Sequence, residues 1–340
     1  MRNILTALIA FAAGALLTVW LVGHRAAPST SVQPAPASTS GNSVAPIEAP
    51  TIADDDNGEA WPDGSPTPEQ VLYAQPQLMR DALADLTPRV AGKPNLYVLV
   101  FAGDGGEDVF RNEAEYAAPL FAQRFGPAAH TLVLENNPAS LTTRPLASWS
   151  NLEAGLAGLD KVMVTDQDIL LLYITSHGGE DHTLLVDMDP LPLDQLGADD
   201  LAGILAAHRF KWKVVVVNAC YSGGFVPPLR GPGTLVLTAA RSDRSSFGCG
   251  SDSDITYFGK AWLVDALNRT PDFIEAFKQA SGEISQWEQK DKLTPSEPQI
   301  DIGSGIAGQL ASWRKGVAPG PKLPFKPATP AGSASVATPR

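Results

Sequence analysis

The run Ile169-Leu-Leu-Leu-Tyr-Ile-Thr175, followed by Ser176-His177-Gly178-Gly179, decides the fold of this chain. A short, continuous apolar run of this kind is typical of a strand buried on both faces of a parallel sheet. A second such run, residues 214–217, is followed by Asn218-Ala219-Cys220. In open α/β folds, functional groups gather at the carboxyl ends of the parallel strands. We therefore expect His177 and Cys220 to lie side by side at one edge of a sheet.

Each of these two residues also has an ordinary structural explanation. His177 could be a loop histidine, and free cysteines such as Cys220 are among the most frequently buried residues. Their joint position favours a thiol nucleophile with its general base, because imidazole lowers the pKa of a nearby thiol and can protonate a leaving amine. The backbone N–H groups of Gly178 and Cys220 are the expected donors to the oxyanion that such an attack creates.

Composition limits the classes of function. The chain has 340 residues, of which 44% are hydrophobic, enough for a substantial core. A net charge of −12 argues against a nucleic-acid partner and against docking on anionic lipid. The only cysteines, Cys220 and Cys249, exclude a disulfide scaffold, and pairing them would consume the proposed nucleophile. The five histidines show no zinc-ligand spacing, so we expect neither a metal nor a cofactor.

The composition changes along the chain and predicts four segments. Residues 1–25 contain an apolar stretch, residues 4–22, which as a helix would be roughly 28 Å long, close to a bilayer core. We interpret it as a signal anchor; a cleaved signal peptide is the alternative. Residues 26–60 are rich in Pro, Ala and Ser and predict a disordered linker. Residues 61–314 form the predicted folded domain, and residues 315–340 a predicted disordered tail.

Within the folded domain, predicted strands and helices alternate, which indicates a mostly parallel sheet with helices on both faces. The predicted strands cover residues 95–102, 131–134, 169–175, 214–217 and 234–238. Four helices are predicted. The first contains apolar residues at helical spacing from 114 to 125, and the second begins at Asp199 and Asp200. The other two cover residues 257–266 and 272–287.

The loop after the first strand, Gly103-Asp-Gly-Gly-Glu-Asp108, is rich in glycine and acidic residues. Its carboxylates would repel a phosphate, and the spacing matches no dinucleotide, P-loop or EF-hand motif. We interpret it as an ordinary loop, although calcium binding is conceivable. Arg111 just beyond it is either a solvated helix residue or a residue of the site at the same sheet edge.

Residues 173–179 (Tyr-Ile-Thr-Ser-His-Gly-Gly) and 218–225 (Asn-Ala-Cys-Tyr-Ser-Gly-Gly-Phe) resemble the two active-site motifs of the legumain-like C13 cysteine peptidases, in the clan that includes caspases. The resemblance extends over residues 95–267. It implies a caspase-like three-layer α/β/α sandwich, a His177–Cys220 catalytic dyad and an oxyanion donor at Gly178. It also implies a substrate-binding pocket. The residues that correspond to this pocket are Arg111, Asn218 and Ser245.

The chain departs from the family pattern at three positions. Val109 stands where the family has an asparagine that orients the histidine, and Asn218 and Lys260 stand where legumains have pocket acids. Arg111 therefore has no obvious acid to neutralise it, and such a cation would pair with a substrate carboxylate. We accordingly expect a preference for aspartate over asparagine before the cleaved bond.

Together these features predict a bacterial, inner-membrane-anchored cysteine peptidase with a periplasmic catalytic domain. The expected partner is a protein or peptide substrate that is cleaved through a thioester intermediate. Two alternatives remain open at this stage. One is a non-catalytic, membrane-tethered scaffold of the same fold, and the other is a transamidase that passes the acyl group to an amine. The sequence does not determine the oligomeric state.

Overall fold

The computed structural model describes residues 61–127 and 129–328, and a six-stranded sheet lies at their centre. Five of its strands are parallel: β1 (Leu96–Ala102), β2 (Ala129–Glu135), β3 (Ile169–Thr175), β6 (Trp212–Asn218) and β7 (Thr234–Thr238). The sixth, β8 (Gln299–Ile302), pairs antiparallel with β7 and completes the order β2-β1-β3-β6-β7-β8. A separate antiparallel ribbon consists of β4 (Thr183–Leu184) and β5 (Leu196–Gly197).

Helices cover both faces of the sheet. One face packs against α2 (Asp108–Phe125), α6 (Phe273–Asp291), α7 (Ile306–Arg314) and π-helical turns over Gly259–Ala266. The other face packs against α1 (Pro68–Ala84), α3 (Trp149–Val162), α4 (Ala198–Ala206) and the short α5 (Val226–Leu229). The predicted three-layer α/β/α sandwich with a mostly parallel sheet is therefore confirmed.

A hydrophobic core lies on each face of the sheet, and this explains why apolar and polar residues do not alternate along the central strands. Every residue of β1 and of β3 is buried. In β1, Val98 and Val100 belong to one core, whereas Leu99 and Phe101 belong to the other. A strand that packs on both faces needs apolar side chains at successive positions, and each fully buried Val, Leu or Phe contributes about 1.5–3 kcal/mol.

All five predicted parallel strands are present, and their observed ends lie within two residues of the expected ones. The helix expected over residues 257–266 instead forms π-helical turns from Gly259 to Ala266. Sequence analysis did not identify α1, although Thr67 and Gln70 form a capping box and Pro68 occupies its first turn.

The predicted disordered tail is wrong for residues 315–328. Leu323 and Phe325 pack against the core on the α2 face. The Leu323 N–H donates to Asn268 Oδ1 at 2.8 Å, and the Tyr116 hydroxyl donates to the Leu323 carbonyl at 2.7 Å. These two large apolar side chains, in a segment rich in proline and alanine, could have indicated that the segment packs on the domain, because their burial is favourable.

The predicted anchor at residues 1–25, the predicted linker at 26–60 and the end of the tail, residues 329–340, lie outside the described residues. Within the part of the chain that the structure describes, no helix is both long enough and apolar enough to cross a bilayer.

A buried carboxylate beneath the sheet edge fixes the ends of β3 and β6. Glu113 of α2 is fully buried, and its Oε2 accepts hydrogen bonds from the Tyr173 hydroxyl at 2.7 Å, the Thr175 hydroxyl at 2.7 Å and the Asn218 amide at 2.8 Å. Its Oε1 accepts from the backbone N–H of Thr256 at 3.1 Å and from the Thr256 hydroxyl at 2.6 Å. One side chain thereby joins α2, two strands and the loop before the π-helical turns.

We expect Glu113→Ala to lower the free energy of unfolding by about 3–5 kcal/mol, because it leaves several buried donors without an acceptor. Urea unfolding measures this loss, and Glu113→Gln, which keeps one acceptor, should lie between the wild type and the alanine variant. The control is Glu153→Ala on the exposed face of α3, expected to cost well under about 1 kcal/mol. Equal losses for Glu113→Ala and Glu153→Ala would contradict the anchoring role.

Candidate active site

Three chemically active side chains follow three adjacent strands at the same offset. In the sheet register, Ala102 of β1 pairs with Thr175 of β3, and Thr175 pairs with Asn218 of β6. Asp104, His177 and Cys220 each stand two residues beyond these paired positions. Neighbouring strands lie about 4.8 Å apart, so the register alone places a carboxylate, an imidazole and a thiol in a row.

Two carboxylates contact the imidazole of His177. Its Nε2 lies 3.2 Å from Glu107 Oε2 and 3.6 Å from Asp104 Oδ2. The ring also packs edge-on against Phe110, with the ring centroids 5.1 Å apart. These contacts hold the ring and engage Nε2.

The environment of Asp104 shifts its proton affinity. Burial is the main cause, and a hydrogen bond with Glu107 adds to it, so that the pKa of Asp104 rises to about 7. The N–H of Gly106, which donates to Asp104 Oδ1 at 3.0 Å, opposes this rise by stabilising the ionised carboxylate. The raised pKa favours the protonated form of Asp104 beside His177.

The thiol of Cys220 is held by the loop that follows β7. The backbone N–H of Ser246 donates to Cys220 Sγ at 3.2 Å, and the Ser246 hydroxyl lies 3.7 Å from the same sulfur. A hydrogen bond from the Cys249 thiol is the main reason that the pKa of Cys220 falls to about 5; Ser246 and the charge of His177 also lower it, and burial opposes them. These contacts favour the thiolate form of Cys220.

Gly178 lies against the backbone of Cys220. A Cβ atom at Gly178 would stand 2.2 Å from the Cys220 carbonyl oxygen, so only glycine fits here. Within residues 61–127 and 129–328, no backbone hydrogen bond has the N–H of Gly178 or of Cys220 as its donor. The expected role of these two groups as oxyanion donors stays a prediction.

The setting of Arg111 corrects the expectation that no acid faces it. Arg111 Nε lies 3.6 Å from Glu135 Oε1, and Arg111 Nη1 lies 4.0 Å from Asp108 Oδ1. Glu135 ends β2 and is fully buried, and burial together with the charge of Glu115 raises its pKa to about 7. Glu135 is thus an acid beside Arg111 that the sequence did not reveal, and the preference for aspartate stays a prediction.

The other predicted pocket residues have different positions. Asn218 is only 1% exposed and donates to Glu113, which corrects its predicted role in direct substrate contact. Ser245 is exposed beside Ser246, and its pocket role stays a prediction. Lys260 forms an ion pair with Asp265, and Val109 is buried in the core.

Sequence analysis missed several residues of the site. The acidic loop after β1 was interpreted as an ordinary loop, but its residues Asp104 and Glu107 both contact His177. The offset of two residues from the strand end, shared with His177 and Cys220, is the signal that could have identified Asp104. Glu113 and Ser246 carried no comparable signal.

The described residues contain one group with a metal-binding arrangement. One ligand atom each from Asp104, Glu107 and His177 lies within 4.8 Å of the others. A cation held there would occupy the nitrogen that the carboxylates orient, so metal binding and the orientation of His177 by these acids exclude each other.

Comparisons with known proteins point in the same direction. Residues 150–309 match the model of the Peptidase C13 family, a segment that includes His177 and Cys220 but not Asp104 or Arg111. No curated protein matches the chain. The solved structure of caspase-1 from Spodoptera frugiperda is similar, with a TM-score of 0.45 and 13% identity over 63% of this chain and 88% of that chain. The family match supports a cysteine peptidase.

The raised pKa of Asp104 predicts how stability depends on pH. Because the folded protein holds this proton more tightly than the unfolded chain, whose Asp pKa is about 3.9, the carboxyl favours folding at acid pH and loses this contribution as the pH rises through 7. Between about pH 4 and 7 the free energy of unfolding of the wild type should therefore fall, relative to that of Asp104→Asn, which imitates the protonated acid, by roughly 1–3 kcal/mol.

Urea unfolding at several pH values measures both slopes. Asp199→Asn, at an exposed position in the first turn of α4, is the control and should keep the wild-type slope. Parallel slopes for the wild type and Asp104→Asn would contradict the raised pKa of Asp104.

Proposed function

We propose that this chain is a cysteine peptidase that cleaves peptide bonds with a His177–Cys220 dyad. The observation that carries the proposal is the row of Asp104, His177 and Cys220, at equivalent positions beyond three register-paired strand ends. A structural histidine and a core cysteine would not need a thiolate stabilised by Ser246 and Cys249. The match of residues 150–309 to the Peptidase C13 family adds independent support.

The first chemical step is attack by the Cys220 thiolate on the carbonyl carbon of the scissile bond. The lowered pKa of Cys220 provides the nucleophile without prior removal of a proton. Negative charge then develops on the carbonyl oxygen. The backbone N–H groups of Gly178 and Cys220 are placed to donate to it, and one such donor is typically worth 10²–10³ in rate.

His177 completes the step by protonating the leaving amine from Nδ1. Glu107 and Asp104 hold Nε2, so they fix the ring and stabilise the imidazolium. In this role they take the place of the asparagine that orients the histidine in the resembling family, where this chain has Val109. We therefore assign Asp104 and Glu107 as positioning residues.

Water resolves the thioester in a peptidase, with His177 accepting the proton of the attacking water. A transamidase would use an amine at the same point. The geometry of the dyad serves both reactions equally, and we propose hydrolysis because water needs no further binding site. Substrate is proposed only as a class, protein or peptide.

Membrane attachment is a separate proposal that rests on the apolar residues 4–22. We propose that this segment anchors the protein in the bacterial inner membrane with the catalytic domain in the periplasm. The protein should then stay in the membrane fraction after a high-salt wash, because screening of charge does not release a spanning helix. A mature protein whose mass shows a start near residue 26 or later would refute the anchor and indicate a cleaved signal.

The dyad predicts that Cys220→Ala and His177→Ala each reduce peptide cleavage by at least about 10³-fold, and that the double variant loses little more. A peptide library identifies a substrate, kcat and KM are then measured, and urea unfolding verifies that the variants fold. Asp104→Asn should lower kcat with little change in KM, because it disturbs the orientation of His177 rather than substrate binding.

The same variants distinguish the enzyme from the non-catalytic scaffold. In an enzyme, Cys220 reacts with iodoacetamide at neutral pH, and this reaction slows in His177→Ala. Wild-type cleavage by Cys220→Ala would end the catalytic assignment. A thiol that reacts slowly and independently of His177, in a protein that cleaves no peptide in the library, would favour the scaffold.

A further inference from the structure

The loop after β1 brings two carboxylates against the imidazole of His177. Glu107 Oε2 lies 3.2 Å from His177 Nε2, and Asp104 Oδ2 lies 3.6 Å from the same nitrogen. The three atoms all lie within 4.8 Å of one another. Among residues 61–127 and 129–328, neither carboxylate forms an ion pair with a lysine or an arginine. Two acidic groups thus face one imidazole without a permanent positive charge between them.

The spacing of these atoms matches that of the ligands of a tetrahedral zinc ion. Zinc binds imidazole nitrogen at about 2.0–2.1 Å and carboxylate oxygen at about 2.0–2.2 Å, so two of its ligand atoms lie roughly 3.3–3.5 Å apart. The two distances from His177 Nε2, 3.2 and 3.6 Å, lie on either side of this range. The distance between the two carboxylates is at most 4.8 Å, and Glu107, whose side chain is 26% exposed, can rotate to shorten it.

Asp104 is held in place as a preformed ligand. Its side chain is only 5% exposed, and the Gly106 N–H donates to its Oδ1 at 3.0 Å. The backbone beside it is fixed by the Gly105 N–H, which donates to the Asp187 carbonyl at 3.0 Å. Within the described part of the chain, Asp104 Oδ2 accepts no hydrogen bond and faces His177 instead. A buried carboxylate oxygen without a donor has lost solvation, and a bound cation would compensate for this loss.

The chemistry of the ligands favours zinc over calcium and magnesium. Calcium takes about six to eight oxygen ligands and magnesium prefers an octahedral set with several waters, whereas imidazole combined with carboxylates suits zinc. Phe110 packs edge-on against the imidazole, with centroids 5.1 Å apart, and so limits its rotation. The His177 side chain is 33% exposed, so an ion and a water can reach the site from solvent.

We propose that Asp104, Glu107 and Nε2 of His177 form a binding site for one zinc ion, with water as the fourth ligand. The thiol of Cys220 is not a ligand, because its sulfur is held by the backbone N–H of Ser246 at 3.2 Å, in the loop after β7. Zinc binding requires only the three side chains and does not depend on peptidase activity.

Zinc in this site would inhibit the enzyme reversibly, and this consequence rests on the proposed peptidase function. A His177 ring with zinc on Nε2 holds a proton only on Nδ1. Such a ring cannot become the imidazolium that protonates the leaving amine. The ion also takes Asp104 and Glu107 away from their positioning role. We therefore expect zinc to lower kcat and a chelator to restore it.

The binding test titrates the reduced, untagged, full-length protein, freed of metal with a chelator, with zinc chloride in a calorimeter. We expect one zinc per chain in the wild type and the same affinity in Cys220→Ala. Asp104→Asn, Glu107→Gln and His177→Ala should each weaken binding by at least about 100-fold, because loss of even an outer-sphere partner costs roughly 10–100-fold. The matched control is Asp108→Asn, which removes the same charge from a half-exposed neighbouring position and should keep an affinity close to that of the wild type.

Substitution with cobalt identifies the ligands. Co²⁺ in the proposed site should give the visible absorption of a four-coordinate ion, without the near-ultraviolet charge-transfer band that a thiolate ligand produces. Such a band in the wild type, lost in Cys220→Ala, would overturn the proposed ligand set, because the metal would then bind the nucleophile. Displacement of zinc by an equal concentration of calcium or magnesium would overturn the choice of metal.

Cleavage assays on the same samples separate this proposal from the peptidase function. Peptide cleavage by a protein that binds no zinc, or that binds it equally well in Asp104→Asn and Asp108→Asn, refutes the zinc site. Zinc binding with the expected ligand dependence, in a protein that cleaves no peptide of the library, supports the site and refutes the peptidase function. Full activity at saturating zinc would overturn the inhibitory consequence.

Discussion

The carboxylate of Glu113 is the group on which the geometry of the site depends. It is fully buried and accepts five hydrogen bonds, from Tyr173 and Thr175 of β3, from Asn218 of β6 and twice from Thr256. Burial of a charge costs several kcal/mol, and hydrogen bonds to a charge are the ones strong enough to offset it. Because the donors come from two strand ends, the carboxylate fixes the points from which His177 and Cys220 emerge. Gly259 must lack a side chain for this, since a Cβ there would stand 2.0 Å from Glu113 Oε1.

Beyond these strand ends, the sheet register determines which side chains lie at equivalent positions. Asp104, His177 and Cys220 lie at equivalent positions beyond β1, β3 and β6, so an acid, a base and a thiol follow in the order of the strands. No residue adjacent to His177 in sequence could provide this arrangement, because the three side chains follow three different strands of the sheet. The carboxylates that contact His177 belong to the loop after β1, whereas Val109 contributes to the core.

Whether sequence analysis could predict a feature depends on whether its residues are close together in sequence. The parallel strands and the pairing of His177 with Cys220 could be predicted, because apolar runs and the residues after them are local patterns. Glu113 could not, since it lies in a helix and its donors are distant in sequence. Glu135 lies near Arg111 because β2 lies beside β1, so this acid could not be inferred from the residues next to Arg111 in sequence. The ordered residues 315–328 were missed because composition outweighed two apolar side chains, Leu323 and Phe325.

The position and the charge of the Cys220 thiol are set by different parts of the chain. Its position depends on β6, which Glu113 anchors, and on Gly178, whose lack of a side chain permits close contact with Cys220. Its charge depends on donors from the loop after β7, Ser246 and Cys249. A change in that loop can therefore alter the pKa of the thiol without displacing His177 or the strand ends. The sheet edge thus fixes where the thiol lies, while a separate loop sets how readily it ionises.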